Sequence, residues 1–422
     1  MRADVSGLRA ARFLFGYLLP MPDHCTRSIP PVRKPRFGRQ CLDLWHLDPE
    51  ITFLNFGSFG AVPRRVIDLQ MAWSERIERR PIEILDRRLT ELLQPAHDAA
   101  TRFVNGVPGH NAFMVNATAA INAVLRSMRF APGERLVATT HVYNAVRKTM
   151  EWVARRDGAE YVEFDVSLPT SGSEEFAASF VQGLPEGTRL LVMDQVSSPT
   201  GLIFPVERIL ESIAPLGIET IIDGAHAPGM LDINVSRLLD LGAIAWTGNM
   251  HKWAFAPKGC AMLQVHSALR DRVQPNVISH NADESFHERF LWQGTADFTS
   301  WLSLPEALAF GEEEFGWGAL RKANHDLTVW AHELLCTAWD VEPISPLDGS
   351  MIGSIASVPV PAAVRARFTE PEELMAALYD RHHIEVPVMP WNDRWHLRVS
   401  AQAFNEPDEY VSLAEAVLEL GA

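Results

Sequence analysis

Lysine is scarce in this chain. Only Lys34, Lys148, Lys252, Lys258 and Lys322 occur in 422 residues, and arginine supplies the other positive charges. Chemistry that needs a lysine amine therefore has a short list of candidates. Cysteine is equally sparse: Cys25, Cys41, Cys260 and Cys336 are widely spaced and offer neither a disulfide framework nor metal-ligand spacing. A reduced, cytoplasmic protein without a metal centre is the simple expectation. A formal net charge of -15 argues against nucleic acid as a partner, while a small anion responds to local field instead. No apolar run approaches the roughly 20 residues that cross a bilayer. The apolar patch FLFGYLLPM, residues 13 to 21, is too short, lacks a clear small-residue cleavage site, and is read as part of an N-terminal arm. No glycine-rich GxGxxG turn follows the first strand pattern, which removes a dinucleotide-dependent dehydrogenase. Repeats and low-complexity tracts are absent too.

What is present is an ordinary globular composition, 47% apolar and 22% charged. The length exceeds what one core usually serves, so the expectation is an arm over 1–50, a large domain over 51–300 and a smaller C-terminal domain over 301–422. From Ala112 onward, short apolar runs alternate with helical periodicity, the signature of an α/β domain with a mostly parallel sheet. Strand patterns at about 112–115, 135–139, 189–194, 218–222 and 243–246 each end in polar residues. CAMLQV (260–265) reads as a returning strand. Beyond residue 300, helices near 301–314, 318–338, 370–382 and 407–420 are interleaved with strands near 352–358, 384–388 and 395–399.

The stretch from 218 to 259 is the most informative. Its first apolar run stops at Asp223, with Gly224, Ala225 and His226 following; its second ends in Thr247, Gly248, Asn249 and His251, beside Lys252. In a parallel sheet, ligands bind beyond the carboxyl ends of strands, so Asp223 and Lys252 share one mouth. An isolated Asp and Lys would more simply be a helix cap and a solvated surface residue. Two successive strand ends, flanked by two histidines, favour pyridoxal 5'-phosphate instead. That cofactor needs a lysine to hold its aldehyde and an acid to keep its ring nitrogen protonated.

Other strand ends offer further candidates. Asn116, Ala117 and Thr118 open a helix, where amides and a hydroxyl suit a phosphate; an ordinary N-cap is the plainer reading. His141 or Tyr143 at the next strand end suits a flat ring. Ser198 stands in the polar turn after the 189–194 strand, and Arg398, late in HLRVS, suits a carboxylate.

With these residues in place, the chain resembles fold-type I pyridoxal-phosphate enzymes of the class V aminotransferase family, in the isopenicillin N epimerase-like branch. The motifs that carry the likeness run in order from residue 53 to 405: FLNFGSFGAVP, RPIEILDRRL, VNATAAINAVLRS, SSPTGLIFPV, DGAHAPGMLDINV, WTGNMHKWAFAPKG, WQGTADFTSW and HLRVSAQAFN. DGAH followed by HKW is the specific pair. The resemblance implies that Lys252 binds the cofactor aldehyde and moves the Cα proton, that Asp223 pairs with the ring nitrogen, and that His226 lies near the ring hydroxyl. It implies phosphate contacts from Ala117, Thr118, Asn249 and His251, and a cofactor contact from Ser198. Thr295 would reach the phosphate of a neighbouring subunit, making a homodimer with shared sites. Arg398, with Asn55 and Ser58, would hold an amino-acid substrate. Two departures stand out. Phe56 occupies the position where such relatives often carry histidine, and no cysteine lies between Cys336 and Arg398 to serve as a persulfide-forming nucleophile. The expected reaction is epimerisation; C–S lysis of the hercynylcysteine sulfoxide lyase type and transamination share the same carbanion and stay open.

Overall fold

A computed structural model describes residues 35–422; the patch at 13–21, Lys34 and Cys25 lie outside the described residues. The strands are, in chain order, β1 (Thr52–Phe53), β2 (Asn111–Met114), β3 (Arg135–Thr139), β4 (Glu160–Phe164), β5 (Thr188–Asp194), β6 (Glu219–Asp223), β7 (Ala243–Asn249), β8 (Ala261–Val265), β9 (Ile355–Pro359), β10 (Ile384–Glu385), β11 (Val388–Trp391) and β12 (Arg394–Ser400). Seven of them form one sheet in the order β2-β8-β7-β6-β5-β3-β4. Only β8 runs antiparallel to its neighbours, β2 and β7. The central strands are apolar and buried because helices cover both faces. Their carboxyl ends, at Met114, Thr139, Asp194, Asp223 and Asn249, consequently share one edge.

The expected strands are found, the one near 384–388 divided between β10 and β11, and β4 is added. The pattern EYVEF forms β4, paired parallel with β3 at the rim of the sheet. After β1 the chain makes a helical turn, Phe56–Phe59.

Helix ends follow local rules. Asn116 caps the helix Ala117–Ser127 by accepting from the Ala119 N–H at 2.8 Å. Gly158, at φ 74°, ends the helix Asn144–Asp157. Capping boxes start the helices Pro371–His382 and Pro407–Gly421, the latter through Glu406 and Glu409.

Strands β9, β11 and β12 build a second, antiparallel sheet in the order β11-β12-β9. Its apolar face, with Val358, Leu397 and Val399, packs on Leu335, Leu374 and Tyr410. The helix Trp317–Trp339 feeds two cores, Trp317 and Leu320 entering the one beside the large sheet and Ala331 and Leu335 the one behind the small sheet. Trp45 is fully buried among Phe255, Phe310, Phe315 and Phe404, with ring centroids 5.1 to 6.2 Å away. Aromatic burial of this kind contributes about 1.5–3 kcal/mol per side chain, so the chain just before β1 is anchored in the core.

Candidate active site

The carboxyl edge of the large sheet opens into a cavity of about 490 Å³. Its floor comes from β5 and β6. Asp194 and Asp223 are register partners across these neighbouring strands, and both are buried. One Asp223 oxygen accepts from the Ala225 N–H at 2.9 Å. Burial raises both carboxyls, and the charge of Asp223 raises Asp194 further, whereas the Ala225 amide and Lys252 pull Asp223 down. Asp194 thus carries the stronger upward push of the pair, and the Ala225 amide and Lys252 favour the charged form of Asp223.

Lys252 enters from the turn after β7. Burial, then the charge of Arg398, lowers its ammonium from 10.5 to about 7, against the opposing pull of Asp223. Its Nζ lies 3.1 Å from His226 Nε2. His226 is buried and held neutral, because burial and the nearby cations Lys252 and Arg398 all disfavour its charge. The indole of Trp253 donates to His226 Nδ1 at 3.4 Å, which assigns the imidazole proton to Nε2 and turns it toward the amine. An N–H aimed at Nζ requires a lone pair there. The hydrogen-bond geometry and the lowered ammonium both favour the nucleophilic, neutral form of the lysine.

A cation stands across the cavity. Arg398 is buried on β12, and no carboxylate pairs with it among the described residues. Burial lowers it to about 10. Its Nη1 donates to the Ser198 carbonyl at 2.6 Å and the Ser198 hydroxyl at 3.2 Å, and its Nη2 donates to the Ser58 hydroxyl at 3.2 Å. Such a guanidinium is positioned for an anion. Asn55 stands one layer back, with its amide on Glu385 at 3.0 Å and its oxygen accepting from Ser58 at 2.5 Å. Asn55 thus supports Ser58 and does not line the cavity.

At the helix Ala117–Ser127 the expectation needs revision. The Ala117 amide is engaged, donating to Asn249 Oδ1 at 2.8 Å. With Asn116 holding the Ala119 amide, the Thr118 amide is left without a hydrogen bond among the described residues. Thr118, not Ala117, has a backbone donor available for an anion, and Asn249 positions the helix end. His251 fixes its Nδ1 on the Cys260 carbonyl at 2.8 Å, and burial lowers its imidazolium to about 4.

His141 and Tyr143 differ in placement. Tyr143 lines the cavity. His141 is fully buried behind it, its Nδ1 on the Thr200 hydroxyl at 2.9 Å and its ring against Trp391. Thr295 is exposed and does not line the cavity of its own chain. Phe56 points into the core against Trp253, ring centroids 5.1 Å apart. No cysteine lines the cavity among the described residues; Cys336 is buried in its helix, and burial pushes its thiol up to about 12.

Asp194, Lys258 and Met389 are among the lining residues to which sequence reasoning gave no role. Asp194 was visible as a polar strand end; Met389 arrives from the second sheet and carries no local signal. Gly60, at φ 65°, lets its loop press on the Lys252 backbone, because a Cβ there would meet His251 O at 2.6 Å and Lys252 O at 2.8 Å.

The family model for class-V aminotransferases matches residues 61–388. This chain belongs to that family. It is 31% identical over 388 residues to isopenicillin N epimerase of Streptomyces clavuligerus, covering 88% of this chain and 95% of the relative. It is 26% identical over 400 residues to a probable chloroplastic L-cysteine desulfhydrase of Arabidopsis thaliana, covering 88% and 83%. Among solved structures, an apo cysteine desulfurase from Thermococcus onnurineus NA1 superposes with a TM-score of 0.74 at 17% identity, covering 91% of this chain and 98% of that one. The fold is that of fold-type I enzymes, and the class-V protein described here is a pyridoxal-phosphate-dependent enzyme. The cavity fits that cofactor: a neutral buried amine, a buried carboxylate for the ring nitrogen and a helix end with an open amide converge on it. No described helix is long and apolar enough to cross a membrane.

Proposed function

We propose that this class-V enzyme inverts the α-carbon of an amino-acid substrate, in the manner named for isopenicillin N epimerase. The observation that carries the reading is the placement of Lys252, Asp223 and an uncompensated Arg398 around one cavity. Pyridoxal 5'-phosphate, when bound, holds the substrate nitrogen and spreads into its ring the negative charge left when the Cα proton departs. Lys252 would hold its aldehyde in the resting enzyme. Asp223 would keep the ring nitrogen protonated, with Asp194 beside it on the neighbouring strand. Thr118 and His251 would hold the phosphate, with Asn249 fixing the helix end; His226 would face the ring hydroxyl, and Tyr143 would cover the ring. Arg398, oriented by Ser198 and Ser58, binds the substrate carboxylate. Lys252 would take the Cα proton as general base.

A second reading, C–S lysis, is favoured by the desulfhydrase relatives. It would proceed without a cysteine nucleophile, since none faces the cavity among the described residues. Incubation of the loaded enzyme with isopenicillin N and with free L- and D-amino acids separates the two. Inverted, deuterium-labelled product supports epimerisation; pyruvate and sulfide from cysteine would replace it with lysis; a keto acid would indicate transamination. A protein that takes up no cofactor, or an unaltered absorption band in Lys252→Ala, would refute the whole assignment.

Exposed Thr295 is assigned to the phosphate of a second copy, making the working unit a cytoplasmic homodimer. Sedimentation of the purified protein tests this, and a monomer with full activity would refute it.

A further inference from the structure

We propose that Tyr143 is the acid–base group opposite Lys252, so that inversion is a proton transfer shared by two residues. The inference rests on the epimerase reading above. Inverting a carbon requires a proton to leave from one side and another to arrive from the other. A single amine on one wall returns the proton to the side it came from.

The sheet order separates the two groups. Lys252 follows β7, Tyr143 follows β3, and β6 and β5 stand between them with the two carboxylates on the cavity floor. The other cavity groups able to exchange a proton are placed elsewhere. His226 is bonded to Lys252, and His251 and Lys258 flank that lysine in sequence, Lys258 with its amine on the Gly60 carbonyl at 3.1 Å. His141, the other imidazole on the β3 side, is buried, tied to Thr200 and outside the wall. Tyr143 remains. It is 47% exposed in a chain whose other described ring-bearing phenols, Tyr161 and Tyr410, spend their hydroxyls on Glu163 and the Ser400 carbonyl or, as with Tyr379, lie outside the cavity. The Tyr143 hydroxyl has no hydrogen-bond partner among the described residues. It lines the same cavity as Arg398. Arg398 binds the carboxylate in the proposed reading, one bond from the carbon to be inverted. The same guanidinium steadies the phenolate that proton donation leaves behind.

The step balances without any oxidant. The Cα–H bond breaks, its electron pair stays on the substrate, and the proton goes to the Lys252 amine. The Tyr143 O–H bond breaks and a new Cα–H bond forms on the opposite side, leaving an ammonium and a phenolate. Solvent returns the proton from one to the other before the next turnover, or the opposite enantiomer runs the same transfers in reverse.

The test is Tyr143→Phe in the cofactor-loaded enzyme, which keeps the ring and removes the proton. The visible band and the cofactor dissociation constant are measured first, in wild type and variant. Each enantiomer of the amino acid that wild type processes fastest, from isopenicillin N and a panel of free amino acids, is then incubated in D₂O. Recovered material is scored for deuterium and for configuration. The expected result is an unchanged band and binding constant, inversion reduced by about 10²-fold or more, and deuterium entry with retention for one enantiomer only. That one-sided exchange is the signature of a surviving Lys252. Inversion near the wild-type rate in Tyr143→Phe would overturn the proposal. So would a weakened band with equal loss of exchange from both enantiomers, which describes a ring that only holds the cofactor. Wild-type enzyme that exchanges the α-proton without ever inverting would also overturn it, while leaving the cofactor assignment intact. An absent band in wild type would defeat that assignment itself.

Discussion

The reactivity of Lys252 gives the sharpest quantitative test. With its ammonium lowered from 10.5 to about 7, half of the side chain is neutral at pH 7. An ordinary lysine would be neutral in only about 3 molecules in 10⁴, so the cavity raises the reactive form by about 10³-fold, or roughly 4–5 kcal/mol. The causes name the perturbations. Arg398 pushes the amine toward neutrality and Asp223 opposes it. Arg398→Met should move the midpoint up and Asp223→Asn should move it down, from side chains of similar size. The assay is the pH dependence of Schiff-base formation between cofactor-free protein and pyridoxal, which lacks the phosphate, followed by absorbance and trapped with borohydride. A wild-type midpoint near 10, or both variants shifting in the same direction, would refute the electrostatic account. Absence of reaction from Lys252→Ala identifies the residue.

Other perturbations probe separate parts of the molecule. Phe56→Ala empties a fully buried site against Trp253, Phe255 and Phe404 and should cost about 3–5 kcal/mol in urea unfolding; a loss below 1 kcal/mol would contradict the packing described. Asn249→Ala frees the Ala117 amide and should weaken cofactor binding by about 10-fold, from one lost hydrogen bond of about 1–1.5 kcal/mol, with circular dichroism unchanged. Arg398→Ala should raise KM for the amino acid far more than it alters the cofactor band. Buried His141 and His396 are lowered by burial to about 3 and about 4 from 6.5. The unfolded chain therefore binds their protons first, and stability present above pH 6.5 falls as the pH drops from there toward 3 to 4. Urea midpoints between pH 7 and 4 should decline, less steeply in His396→Gln; parallel declines would exclude His396 as a contributor.

The sheet and its chemistry were legible in the sequence where strand ends carry unlike residues. Asp223 and Lys252 announced themselves because an apolar run that stops at a carboxylate, and another that stops beside an amine, leave little else for those groups to do. Strand β4 was not legible. It lies at the sheet edge, half exposed, and its glutamates pair with Arg135 and Arg147 instead of alternating with a clear apolar face. His141 and Tyr143 could not be ranked from their spacing, because the turn after β3 decides which side chain faces out, and that turn is set by contacts with Thr200 and Trp391 from distant parts of the chain. The competition of Asn249 for the Ala117 amide is likewise a contact between distant segments.

The short segment from Thr52 to Gly60 acts as a tie-bar. At one end it is stitched to the C-terminal strands: Thr52 pairs with Ile384 of β10 in a separate two-stranded sheet, the Leu54 amide donates to Glu385 O at 3.0 Å, and the Leu54 carbonyl accepts from the amide of Ser400 on β12 at 3.0 Å. At the other end Gly60 is pressed on the Lys252 backbone, and between the two Ser58 holds Arg398. The amine and the guanidinium sit 146 positions apart in the chain, yet one nine-residue strap touches both, alongside the Ser198 contacts that also hold Arg398. The length of substrate that spans nucleophile and anchor is thus gauged by a part of the protein that carries neither, and lengthening that strap by one residue would retune the gauge without touching either reactive group.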